Sequence, residues 1–115
     1  MIHTRFSKSE DGKTLILTVQ GHAGQAEEGQ DTICAAASIL AYTVAQVVST
    51  MHKEGKLKKK PNIRLEKGDA VVTCKATKQY YAEALHTYSV AQVGYELLRQ
   101  NFPEYVQLVK FGEDK

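Results

Sequence analysis

The chain has 115 residues, 43% of them hydrophobic and 24% charged, with a formal net charge of +2. That is enough for one domain with a single core, and the charge is too small to imply nucleic acid as a partner. No uninterrupted apolar run approaches the roughly 20 residues of a membrane helix, and the start, Met1-Ile2-His3-Thr4-Arg5-Phe6, lacks the apolar centre of a secretory signal. The expectation is a cytoplasmic protein with no membrane partner, in which Cys34 and Cys74 are free thiols.

Ile2 to Phe6 can form a first strand, followed by a polar turn containing Asp11-Gly12. Thr14 to Gln20 alternates, with Leu15, Leu17 and Val19 on one face and Ile16, Thr18 and Gln20 on the other. That period marks a half-buried strand paired to the first as a hairpin. From Asp31 the period lengthens. Ile33, Ala36, Ala37, Leu40, Ala41, Val44, Val47, Val48 and Met51 recur at spacings of three and four, the apolar stripe of a helix. Asp31 or Thr32 suits its N-cap, and Gly55 its stop. Lys56 to Pro61 reads as an exposed basic connection, more readily solvated than bound to nucleic acid.

Asn62 to Glu66 and Asp69 to Ala76 predict a second hairpin around Lys67-Gly68. Val72, Cys74 and Ala76 share its apolar face, which makes Cys74 a buried, inert thiol. A second helix from near Gln79 to Asn101 carries Tyr81, Ala84, Tyr88, Ala91, Tyr95, Leu98 and Phe102 on one stripe. Gly94 interrupts it at a cost of about 1 kcal/mol relative to alanine, which points to close packing against a neighbour. Pro103 ends the helix, and Val106 to Phe111 supplies a last strand. The order ββαββαβ predicts an α+β fold: a two-layer sandwich, a mixed sheet of about five strands with both long helices on one face. The other sheet face must then be polar or covered by a partner.

One stretch carries chemistry. Gly21-His22-Ala23-Gly24 ends a strand, and a polar loop leads through Gly29 to Asp31-Thr32-Ile33-Cys34 at the start of a helix. A thiol attacks only as thiolate. A helix N-terminus favours that form, and an imidazole can take the proton and return it to a leaving amine. First-turn amides can also serve as an oxyanion hole. Cys34 falls at the margin of the apolar stripe, with Ser38 one turn further on the same side. Gly24 and Gly29 give the intervening loop the freedom to close over a peptide. Against this, Glu27, Glu28 and Asp31 place negative charge near the thiol. Strand parity also puts His22 opposite the Leu15, Leu17, Val19 face unless Gly21 breaks the alternation, and that break is expected. On these residues alone, a packed cysteine and a surface histidine are the more ordinary reading. No Cys-x-x-Cys or His-x-x-x-His pair is present, and no metal is expected.

Gly21-His22-Ala23, a loop, then Gly29-x-Asp31-x-Ile33-Cys34-Ala35-Ala36-x-Ser38 resembles the signature of the ribosomal-processing cysteine protease family, Prp. The likeness extends over nearly the whole chain, to Asn101-Phe102-Pro103-Glu104-Tyr105-Val106 at the end of the second helix. It implies that His22 and Cys34 are a catalytic dyad and that Gly21, Asp31 and Ser38 orient or support it. It further implies a homodimer that needs no cofactor. Its substrate would be the N-terminal peptide of a ribosomal protein precursor: the short extension of bacterial large-subunit ribosomal protein twenty-seven, cut at an aromatic Phe-Phe motif. Ala37 stands where the family often has Val, and Thr32 where it often has Ile. The alternative is a non-catalytic ribosome- or RNA-associated module using Lys56, Lys58, Lys59, Lys60 and Arg64.

Overall fold

A computed structural model describes residues 1–22 and 30–113, with side chains for all of these except Gln30 and Asp31. The elements are β1 (Ile2–Lys8), β2 (Thr14–Gly21), α1 (Gln30–Lys53), β3 (Asn62–Glu66), β4 (Asp69–Lys75), α2 (Tyr81–Asn101) and β5 (Val106–Val109). A single 3-10 turn, Lys78–Tyr80, leads into α2. The strands form one sheet in the order β3-β4-β2-β1-β5. Every neighbouring pair is antiparallel except β1 and β5, which run parallel because α2 carries the chain back across the sheet. The ββαββαβ sandwich with a mixed sheet is the architecture expected.

The period-2 patterns decide which sheet face is covered. Ile2 and Phe6 of β1, Leu15, Leu17 and Val19 of β2, and Ala70, Val72 and Cys74 of β4 are buried beneath the helices. α1 closes over them with Ile33, Ala37, Ala41, Val44, Ala45, Val48 and Met51, and α2 with Ala84, Tyr88, Ala91, Tyr95 and Leu98. Two tyrosines from the aromatic stripe are fully buried, so each hydroxyl must find a partner. Tyr88 donates to the Val72 carbonyl at 2.8 Å and Tyr95 to the Ala37 carbonyl at 2.7 Å. Tyr95 also meets Phe6 edge-on, with ring centroids 5.8 Å apart. By its length and composition α1 could cross a bilayer; here its stripe is the underside of a helical layer. The opposite sheet face pairs His3 with Gln20, Arg5 with Thr18 and Ile16 with Thr73. It is mainly polar, so burial alone does not require a partner there.

Four local readings change. α1 starts at Gln30, one residue before the expected cap Asp31, which moves Cys34 from the first turn to the fifth helical residue. Leu57, within the basic connection, is buried and bridges to Ala76, anchoring that segment against the sheet. Lys56 is held by Glu54 and Glu83 at 3.1 Å each. β5 stops at Val109, two residues short, because Phe111 turns its ring onto Phe6 and Tyr88.

Candidate active site

The β1–β2 hairpin delivers His22 to one end of the sheet, and α1 begins at that same end. Gly21, the last residue of β2, has a φ of +97°, a backbone conformation open chiefly to glycine. A Cβ there would also stand within 2.3 Å of the Met1 carbonyl oxygen. This is the break in alternation that the sequence required. By parity alone His22 would follow Gln20 onto the polar face, yet it lines a cleft together with Cys34. The Met1 amino group donates to the His22 carbonyl oxygen, and the Gly21 amide donates to the Gly68 carbonyl at 2.9 Å.

The cleft encloses about 590 Å³. On one wall, Cys34, Ser38 and Tyr42 follow one another at intervals of four along α1, so they stack on one helix face. The floor is apolar, with Ala37 and Ala41 of α1 and Val19 and Ala70 of the sheet. The opposite wall is the β3–β4 turn, Glu66 to Asp69. Arg64 contacts Asp69 at 3.1 Å, and that hydrogen bond holds the Asp69 carboxyl below the usual carboxylate range.

Cys34 is half-buried and packs against the core edge, as its margin position predicted. Its own amide lies beyond the first four of α1, which are the ones without intrahelical acceptors. Side chains lean toward the N-terminus of a helix, so the Cys34 side chain leans toward that first turn. Cys74 is buried in the core and takes no part in the cleft.

Of the residues singled out by sequence, the structure brings Gly21, His22, Cys34 and Ser38 together. Asp31 lies in the first turn of α1, but its side chain is outside the described residues, as are Gly24 and Gly29 with Glu27 and Glu28. The sequence predicted the β3–β4 turn but not its place at the cleft, since nothing local announces that β4 pairs with β2. Sequence reasoning also missed Tyr42, which the spacing Cys34, Ser38, Tyr42 could have revealed. Among the described residues, no three His, Cys, Asp or Glu side chains gather as metal ligands do.

A two-layer α+β domain with a cysteine and a histidine lining one open cleft has the parts of a thiol peptidase. The family model for the cysteine protease Prp matches residues 1–107, and the chain belongs to that family; it is a cysteine protease. The essential ribosomal processing protease Prp from S. aureus, solved with a substrate peptide, superposes with a TM-score of 0.69 at 18% identity, over 96% of this chain and 99% of that one. SMU.848 from Streptococcus mutans superposes with a TM-score of 0.67 at 20% identity, over 96% and 94% of the two chains. At such identities these likenesses speak for the fold. No curated protein sequence matches.

Proposed function

We propose that this protease removes the short N-terminal extension of bacterial large-subunit ribosomal protein twenty-seven, cutting at an aromatic Phe-Phe motif, with Cys34 as nucleophile and His22 as general base and acid. The observation that carries the dyad is the shared cleft: Gly21 turns His22 off the polar face to the cleft that Cys34 lines. The ribosomal substrate is supported by the S. aureus relative, a ribosomal processing protease seen with its substrate peptide. The apolar floor at Ala37 and Ala41, beside Tyr42, suits aromatic side chains.

In this mechanism His22 takes the Cys34 proton, and the thiolate adds to the scissile carbonyl carbon. First-turn amides of α1 stabilise the resulting oxyanion. The C–N bond breaks as His22 returns the proton to the leaving amine, and a thioester to Cys34 remains. His22 then deprotonates a water that hydrolyses it. No step uses a cofactor. Its place of action is the cytoplasm, where ribosomal precursors are made. The active form is a homodimer, a reading that the exposed Ile39, Val90, Val93 and Leu97 on the outer helix faces support.

The RNA-module reading loses two of its five cations to acid partners, Lys56 to Glu54 and Glu83 and Arg64 to Asp69. The test is a peptide spanning the aromatic motif. Either Cys34→Ala or His22→Ala should cost at least about 10²-fold in cleavage rate. Wild-type rates in the Cys34→Ala variant would refute the dyad.

A further inference from the structure

His22 stands at a corner where two turns meet. The Gly21 amide bonds to the Gly68 carbonyl at 2.9 Å, which brings the β3–β4 turn against the end of β2. Gly68 has a φ of +75°, and a Cβ on it would lie 2.5 Å from both Cε1 and Nε2 of the His22 imidazole. Carbon contacts settle near roughly 3.5–4.0 Å, so any side chain at this position would claim space the ring already fills. We propose that Gly68 is a positioning residue: its bare Cα is the seat that keeps the His22 imidazole on the cleft. The proposal rests on reading His22 as the general base.

The molecule contains its own control. Gly12, in the β1–β2 turn at the other end of the same strand, has a φ of +73°, and a Cβ on it would meet nothing within 4 Å. The two glycines share a backbone conformation and differ in their neighbour. A side chain at Gly12 brings backbone strain alone. At Gly68 it brings the same strain and an overlap with the tip of a side chain, which can move by rotating about χ1. The displacement therefore falls on the imidazole, and so on catalysis more than on folding.

The experiment compares Gly68→Ala with Gly12→Ala, and Gly68→Asn with Gly12→Asn, since asparagine tolerates positive φ better than most residues. Three quantities are read: cleavage of the aromatic-motif peptide, thermal midpoint, and the pH titration of the His22 Cε1–H resonance, assigned by its loss in His22→Ala. Both Gly68 variants should lose on the order of 10²-fold in kcat/KM, the scale of an ångström-level misplacement. Their thermal midpoints should match those of the Gly12 variants, whose cleavage stays near wild type. The His22 resonance should move in the Gly68 variants only. If Gly68→Ala does not fold, His22→Ala/Gly68→Ala should fold, because the overlap is gone; a double variant that also fails overturns the proposal. Equal cleavage by Gly68→Asn and Gly12→Asn, or an unmoved His22 resonance, overturns the seat while loss of cleavage in His22→Ala leaves the base intact. Full cleavage by His22→Ala would instead remove the base itself, and the seat with it.

Discussion

The Tyr95 hydroxyl donates to the Ala37 carbonyl oxygen at 2.7 Å, joining the middle of α2 to the turn of α1 that follows Cys34. Both residues are buried, and burial also pushes the Tyr95 hydroxyl well above its ordinary range. The bond thus fixes the nucleophile's helix against the second helix from inside the core. Tyr95→Phe keeps the ring and deletes the bond, so stability should fall by about 1 kcal/mol. A thermal midpoint lower by about 4 °C in calorimetry is the expected reading; an unchanged midpoint would mean that packing alone sets the helix pair.

The two thiols should behave oppositely. Burial pushes the Cys74 thiol above its ordinary range, and its contact with the Tyr88 hydroxyl only partly offsets that. Cys34 lines the open cleft. Brief treatment of the folded protein with iodoacetamide at neutral pH should add one label, mapped by mass spectrometry to Cys34. Cys34→Ala should take up none until denatured.

Gly94 lets α1 and α2 approach. A Cβ there would stand 2.7 Å from one Leu40 methyl and 3.1 Å from the other. Gly94→Ala should gain about 1 kcal/mol of helix propensity and lose about 1–3 kcal/mol to overpacking, a net loss in denaturant unfolding. In a Leu40→Ala background the same change should turn stabilising. Equal effects in both backgrounds would show that Leu40 does not set the spacing.

Glu96 ties the end of α2 to the strand beyond it. A hydrogen bond from Arg99 holds its carboxyl down at about 2, with Gln100 and then the Lys110 charge adding to the effect. A depressed carboxyl contributes stability that is present above its unfolded value, 4.5, and is lost as the pH falls through about 2. Wild type should therefore lose stability over that acid window, and Glu96→Gln should flatten the loss, its deficit against wild type staying constant above about pH 6. Parallel curves would disprove the linkage.

Most of the fold was legible because it rests on periodicity. Leu15, Leu17 and Val19 on one face, and the long stripes of α1 and α2, left few alternatives to a sheet under two helices. What periodicity could not carry was long-range or geometric. Leu57 was hidden among lysines because its burial depends on a bridge to Ala76, nineteen residues on. Phe111 looked like strand, and its ring instead fills the gap beside Phe6. At the site, residue types and spacing picked out His22, Cys34 and Ser38, and parity argued against His22. A single positive φ at Gly21 resolves that conflict. The opposite wall, Glu66 to Asp69, comes from the pairing of β4 with β2, which no local pattern encodes.

The central claim is that Cys34 attacks the substrate and carries its acyl half. The most direct measurement is rapid quenching of the protease with an aromatic-motif peptide, followed by intact-mass and fragment analysis. Wild type should show a transient adduct equal in mass to the N-terminal fragment less one water, located on Cys34 and released by hydroxylamine, and Cys34→Ala should show neither adduct nor cleavage. Continued cleavage by Cys34→Ala, or an adduct on any other residue, would contradict the account.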